Sequence, residues 1–132
     1  MAGVPAFRDT PQGQSLSVAN TKFAFDLYNR ITEQNIFMSP LSISVALAMT
    51  YLGARGETKS QMRSVLHFTD VEESHLHQMF ANILSALSKP EQPYKLYMAN
   101  RLFGEKSYTF LDEFLADGRK HYSADLAPVD FR

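Results

Sequence analysis

Three observations predict an α+β fold whose core is only partly contained in these 132 residues. From Gln34 to Arg55 the chain carries no charge before its final arginine, and apolar or small residues fall on every side of the helical wheel from Leu41 to Leu52. A helix of that kind is enclosed by other elements. From Tyr94 to Phe103 the apolar period changes to two, the mark of a long strand. The third observation is one of pairing: five helical segments alternate with three strands, and no tight turn joins any strand to another. The enclosed helix and the near-apolar strand face need more cover than the remaining residues supply, so the reading is the front portion of a larger domain.

The elements follow in order. Residues 1–14 contain Pro5, Pro11 and Gly13 and no apolar run of signal-peptide length, which predicts a flexible tail ahead of a domain spanning 15–132. Leu16, Ala19, Phe23, Leu27, Tyr28 and Ile31 recur at helical steps among polar residues, and Ser15 or Ser17 can cap the helix they form. Ile36 to Met38 reads as a short buried strand. It stops at Ser39-Pro40, where proline suits the first position of the central helix. Gly53 is the expected stop, in the left-handed conformation. Thr58 and Gln61 have capping-box spacing ahead of Met62, Val65 and Leu66, and Asp70 with Glu73 repeats the device. Leu76, Met79, Phe80, Ile83, Leu84 and Leu87 form the cleanest helical period in the chain, closed by Pro90. Asn100 falls on the apolar side of the strand that follows, where its amide needs partners. Phe110, Leu111, Phe114, Leu115 and Tyr122 are the apolar positions of a fifth helix. Its Asp112 and Glu113 near the start, and Arg119, Lys120 and His121 near the end, suit the helix dipole. Leu126 to Phe131 is a strand whose Pro128 places it at a sheet edge.

Composition narrows the classes of function. The net charge is −1, 45% of residues are hydrophobic and cysteine is absent. Phosphate binding needs a basic excess, so a nucleic-acid partner is not expected. No disulfide framework is possible, which fits a reducing compartment but equally fits a fold that needs no staples. The central helix falls short of about 18 unbroken apolar residues and is dotted with Ser42, Ser44 and Thr50, so no membrane span is expected. His75 and His77 point to different faces of a helix, and His67 and His121 lie far off, so no metal site is read. Glu72 and Glu73 read as helix caps in place of an acid/base pair. No nucleophile stands near a base, and Gly53-Ala54-Arg55-Gly56 lacks the lysine and length of a phosphate loop. No catalytic residue and no cofactor are read.

At this point the residues carry a resemblance. Asn35-Ile36-Phe37-Met38-Ser39-Pro40-Leu41-Ser42-Ile43-Ser44-Val45-Ala46-Leu47-Ala48-Met49, then Tyr51-Leu52-Gly53-Ala54-Arg55-Gly56-Glu57-Thr58, resemble the serpin family of protease inhibitors. The likeness continues through Val65-Leu66-His67-Phe68, Ala99-Asn100-Arg101-Leu102-Phe103-Gly104-Glu105-Lys106 and Val129-Asp130-Phe131, so that it covers nearly everything from Ser17 onward. It implies the N-terminal part of a serpin fold: helices A to E, strand 6 of sheet B, and strands 2 and 1 of sheet A. The phrasing of Val18 to Leu27 and of Asn100 to Lys106 is most similar to the intracellular, ovalbumin-like branch. A cytoplasmic location is therefore expected, with the extracellular space as the alternative.

The resemblance also implies a mechanism. A serpin presents a reactive-centre loop near its C-terminus, is cleaved by its target protease, and inserts the loop as a new strand of sheet A while the protease is held as an acyl-enzyme. The nucleophile is the protease's, and the loop lies outside this sequence. Within it, Ser39, Ser42 and Asn100 match residues of the family's shutter, where the central helix meets the opening sheet. Ser39 as a plain helix cap is the competing reading. Heparin, which some serpins bind through basic residues of the fourth helix, is not expected, because that helix offers only Lys89 at its end and Glu72 and Glu73 at its start. Three functions stay open: an inhibitor of a serine or cysteine protease, a non-inhibitory carrier, chaperone or storage serpin, and a truncated product that acts only by binding. The 132 residues alone are expected not to inhibit and to self-associate.

Overall fold

The computed structural model describes residues 10–32 and 34–132. Helix α1 runs Pro11–Arg30, α2 Pro40–Gly53, α3 Gly56–Val65, α4 Glu73–Leu87 and α5 Asp112–Tyr122; strands β1, Leu102–Glu105, and β2, Leu126–Val129, lie on either side of α5 in sequence. A 3-10 turn at Phe68–Asp70 links α3 to α4.

The first helix begins earlier than its apolar period implies. Thr10 is its N-cap, accepting from the Gly13 amide at 3.1 Å, and Pro11 takes the first helical position, where a missing N–H costs nothing. Residues 11–14 are therefore helix and not tail; the rest of that expected tail, residues 1–9, lies outside the described residues. Ser15 and Ser17, read as caps, sit inside the helix, and the Ser15 hydroxyl donates back to the Pro11 carbonyl.

Other punctuation shifts in the same way. Gly53 is the last residue of α2 and has no positive φ; its lack of a side chain matters for packing, since a Cβ there would stand 3.1 Å from the Phe114 ring. Gly56 is the glycine with left-handed backbone, and α3 starts on it, so Thr58 lies within the helix while Gln61 donates to the Glu57 carboxylate. Neither Asp70 nor Glu73 caps α4. Its N-cap is Glu72, without a side-chain capping bond, because Asp70 is taken into the 3-10 turn and Glu73 is turned to other partners.

The core lies where α1, α2, α4 and α5 converge. Leu16, Ala19 and Phe23 of α1, Val45, Ala48, Met49 and Tyr51 of α2, and Leu76, Met79 and Phe80 of α4 are buried together with Leu66, Phe68, Val71 and Tyr122. Rings meet edge to face through it: Tyr51 on Phe68 at 5.6 Å between centroids and Phe68 on Phe80 at 6.0 Å. Such pairs add roughly 0.5–1.5 kcal/mol each beyond the area they bury. The helix read as enclosed is covered on one side only. Ser42, Ala46 and Thr50 stay exposed along its other side.

The strands are shorter than their patterns. Ile36 to Met38 pairs with no strand among the described residues, and Phe37 is fully exposed at 106%. Of the Tyr94–Phe103 strand, only its end enters a ladder: β1 pairs in parallel with β2, from Leu102 opposite Leu126 to Glu105 opposite Val129. A strand exists as a ladder, and residues 94–101 are extended without a partner strand among the described residues. The expected edge strand is there, with Pro128 opposite Gly104. Beyond the ladder the Phe131 amide donates to the Glu105 carboxylate at 2.9 Å, and Lys106 pairs with Asp130 at 2.5 Å.

Tyr97, Tyr108, Leu111 and Phe131 are between 68% and 88% exposed, and the open strand edge adds unpaired backbone to this apolar surface. The isolated chain is predicted to show strong helical far-ultraviolet dichroism, to bind hydrophobic dye and to melt without a sharp transition. A monomer with a cooperative melt and little dye binding would contradict the reading that these residues need further cover.

Candidate functional site

The residues singled out in the sequence gather at the start of α2. Ser39 is the N-cap, with extended backbone at φ −112°, and its Oγ accepts from the Ser42 amide at 3.3 Å. The two hydroxyls also bond to each other at 2.9 Å. Each hydroxyl can donate or accept, so either can turn toward a new partner without leaving the pair empty. Both are exposed, on the side of α2 that nothing covers. One turn on, the buried Ser44 hydroxyl donates to Asn20 of α1 at 2.8 Å and so ties the helix start to α1.

Asn100 is not brought to this pair by any hydrogen bond among the described residues. It lines a cleft of about 580 Å³ bounded by α4, the end of α5 and the extended segment ahead of β1. Ser39 and Ser42 therefore form one unit and Asn100 stands apart on the extended segment ahead of β1. The Ser39 hydroxyl caps α2 and also meets the Ser42 hydroxyl.

The sequence did not point to the polar cluster at the other end of α2. There Tyr51 Oη donates to the Glu73 carboxylate of α4 at 2.5 Å, Lys59 of α3 reaches the same carboxylate at 2.6 Å, and Arg63 of α3 pairs with it as well. Arg63 also donates to the Val71 carbonyl at 2.8 Å. Burial alone would raise the Glu73 pKa, but hydrogen bonds from Lys59 and Tyr51 outweigh it and hold the carboxyl below its ordinary value. Burial, reinforced by the bond to Glu73, pushes the Tyr51 phenol up. Only a Tyr51 side chain that leaves the core with its hydroxyl last signals such a partner, and nothing in the sequence says which carboxylate supplies it.

The histidines are structural. His77 sits between Tyr51 and His121, with ring centroids 6.0 and 6.1 Å away, and its Nδ1 is 2.6 Å from the hydroxyl of the buried Tyr122. Burial, and next the nearby His121, lower its pKa to about 4. Tyr122 is itself pushed up by burial, so it is the donor and His77 the acceptor. His75 instead lies exposed against Glu72, and His67 pairs with Asp26. Among the described residues no group of three or more His, Cys, Asp or Glu could hold a metal, and no helix is long and apolar enough to cross a membrane.

The start of α2 thus carries a pair of exposed, mutually bonded serines. The family model described as Serpin (serine protease inhibitor) matches residues 18–132. The chain belongs to the serpin family. This serpin chain is 54% identical over 122 residues to the leukocyte elastase inhibitor of Bos taurus, covering 89% of this chain and 32% of that protein. It is 48% identical over 123 residues to the leukocyte elastase inhibitor of Homo sapiens, covering 90% and 32%. Emu ovalbumin superposes with a TM-score of 0.80 at 35% identity, over 89% of this chain and 34% of ovalbumin. The chain thus spans about a third of the length of these relatives. The expected α+β serpin portion and the ovalbumin-like branch are both borne out.

Two predictions use a chimera that joins these residues to the part of the bovine inhibitor outside the match. In it, Ser39→Ala removes cap and pair together and is predicted to cost about 1 kcal/mol. Ser42→Ala keeps the cap; a loss as large as that of Ser39→Ala would mean that the hydroxyl pair, and not the cap, carries the contribution.

The second concerns pH. His77 binds its proton near 4 when folded and near 6.5 when unfolded, so its contribution is fully present above about 6.5 and is lost as pH falls toward 4. Denaturant midpoints of the chimera are predicted to drop over that window by an amount equivalent to about 3 kcal/mol at most, and His77→Gln, which still accepts from Tyr122, flattens the drop. An unchanged pH profile in the variant would remove His77 from the explanation.

Proposed function

We propose that these residues supply the sheet-opening base of a serine protease inhibitor that acts as a suicide substrate, with an elastase-type enzyme as its target. The observation that carries this reading is the likeness to leukocyte elastase inhibitors, 54% identical over 122 residues in the bovine protein. The exposed side of α2 supports it, because Ser39 and Ser42 stand where a covering sheet would slide, each with a hydroxyl that can change partners. Asn100, on the extended segment leading to β1, belongs to the moving side of that contact. In this reading the chain contributes no catalytic residue: the attacking serine is the protease's, and the chain's part is to seat the sheet whose opening admits the loop.

The test is the chimera incubated with leukocyte elastase. The expected result is a complex that survives a denaturing gel, with trypsin-like and chymotrypsin-like enzymes as comparisons. The 132 residues alone are expected to give no such band with any of the three. A chimera that melts cooperatively yet is only cleaved as a substrate would favour a non-inhibitory serpin. A stable complex formed by the 132 residues themselves would overturn the assignment of the trapping machinery to the rest of the fold.

A further inference from the structure

Resting on the reading above, we propose that Glu73 is a positioning residue for loop insertion: it anchors the far end of α2 to α3 and α4, so that the sheet slides over a fixed helix.

The geometry divides α2 into two unlike ends. At its start the bonds are changeable, a mutual pair of exposed hydroxyls and one buried serine on Asn20. Three turns later Tyr51 is wholly buried, and its hydroxyl meets a carboxylate that also takes Lys59 and Arg63. One acceptor group therefore collects donors from two other helices, and Arg63 extends the network to the Val71 carbonyl just before α4. Charge-assisted bonds of this kind are directional as well as strong, and converging on a single carboxylate they fix three helices relative to one another.

Strand insertion requires the sheet to move relative to what lies beneath it. A helix free at both ends would follow the sheet, and insertion would slow relative to deacylation of the acyl-enzyme, which releases cleaved serpin and active protease. Both courses start from the same ester, formed when the protease serine attacks the loop carbonyl, the scissile C–N bond breaks and the segment beyond it leaves as an amine carrying the serine's proton. Trapping preserves that ester; hydrolysis adds water to it, freeing the serine hydroxyl and leaving a loop carboxylate. An anchored α2 favours trapping.

Glu73→Gln in the chimera retains an acceptor for Tyr51 and removes the charge that holds Lys59 and Arg63. Hydrogen exchange of the α2 amides from Val45 to Gly53 is expected to rise several-fold, and the moles of serpin consumed per mole of elastase inhibited are expected to rise with it. Glu73→Asp, which keeps the charge, is expected to restore part of both. Arg119→Gln, which breaks the exposed pair with Asp125 elsewhere in the fold, is expected to change neither. Unchanged exchange in Glu73→Gln would overturn the anchor. Raised exchange with an unchanged inhibition stoichiometry would leave Glu73 a structural residue and overturn its positioning role. If the unsubstituted chimera traps no protease, the inhibitory reading fails by itself. The anchor is then judged by exchange and by the rate of heat-induced polymerisation, which Glu73→Gln is expected to accelerate and, if the anchor does not exist, leaves alone.

Discussion

Helix α2 carries more apolar surface than the elements around it cover, and the other features of the structure follow from how that shortage is shared out. Its Val45, Ala48, Met49 and Tyr51 face is buried by α1, α4 and α5, and the opposite Ser42, Ala46, Thr50 stripe is left bare. Small residues on the bare side keep the exposed apolar area low, and they also leave a flat track that a sheet can approach closely. Large side chains on the buried side give the helix a firm seat. The sequence divides the two faces by size rather than by polarity, so a hydropathy pattern read as apolar all round does not separate them.

That point explains what was legible. The helices of the core were visible because their periods and their burial agree: Leu76, Met79 and Phe80 fall at helical steps and are buried, and the acidic start and basic end of α5 were as read. The end signals were less legible, since several residue types compete for the same role within a turn. Thr10 with Pro11 outcompetes Ser15 and Ser17, and Gly53 packs against Phe114 where a left-handed stop was expected. Strands were least legible of all. An alternating pattern records which faces can be buried, whereas a ladder requires a neighbour, and Ile36 to Met38 and residues 94–101 have none among the described residues.

For the candidate site the line falls elsewhere. Ser39 and Ser42 are three residues apart at a helix start, so local geometry alone puts their hydroxyls together. The resemblance groups Asn100 with them, and no hydrogen bond among the described residues joins it to them. Tyr51 and Glu73 are 22 residues apart, His77 and Tyr122 are 45 apart, and both pairs exist only because α2, α4 and α5 pack together. Short-range chemistry can be read from spacing; polar contacts made by tertiary packing cannot.

The two long-range pairs also differ in what they permit. His77 and Tyr122 form a neutral bond within the aromatic core, so adding a proton disturbs the packing of α4 on α5. Glu73 is charged, and removing its proton-binding site or its charge disturbs α2 against α3 and α4. Acid and a Glu73 substitution therefore loosen different joints of one core. The exposed serine pair at the start of α2 costs little to rearrange and the Glu73 cluster costs more, so the two ends of one helix are held with unequal firmness.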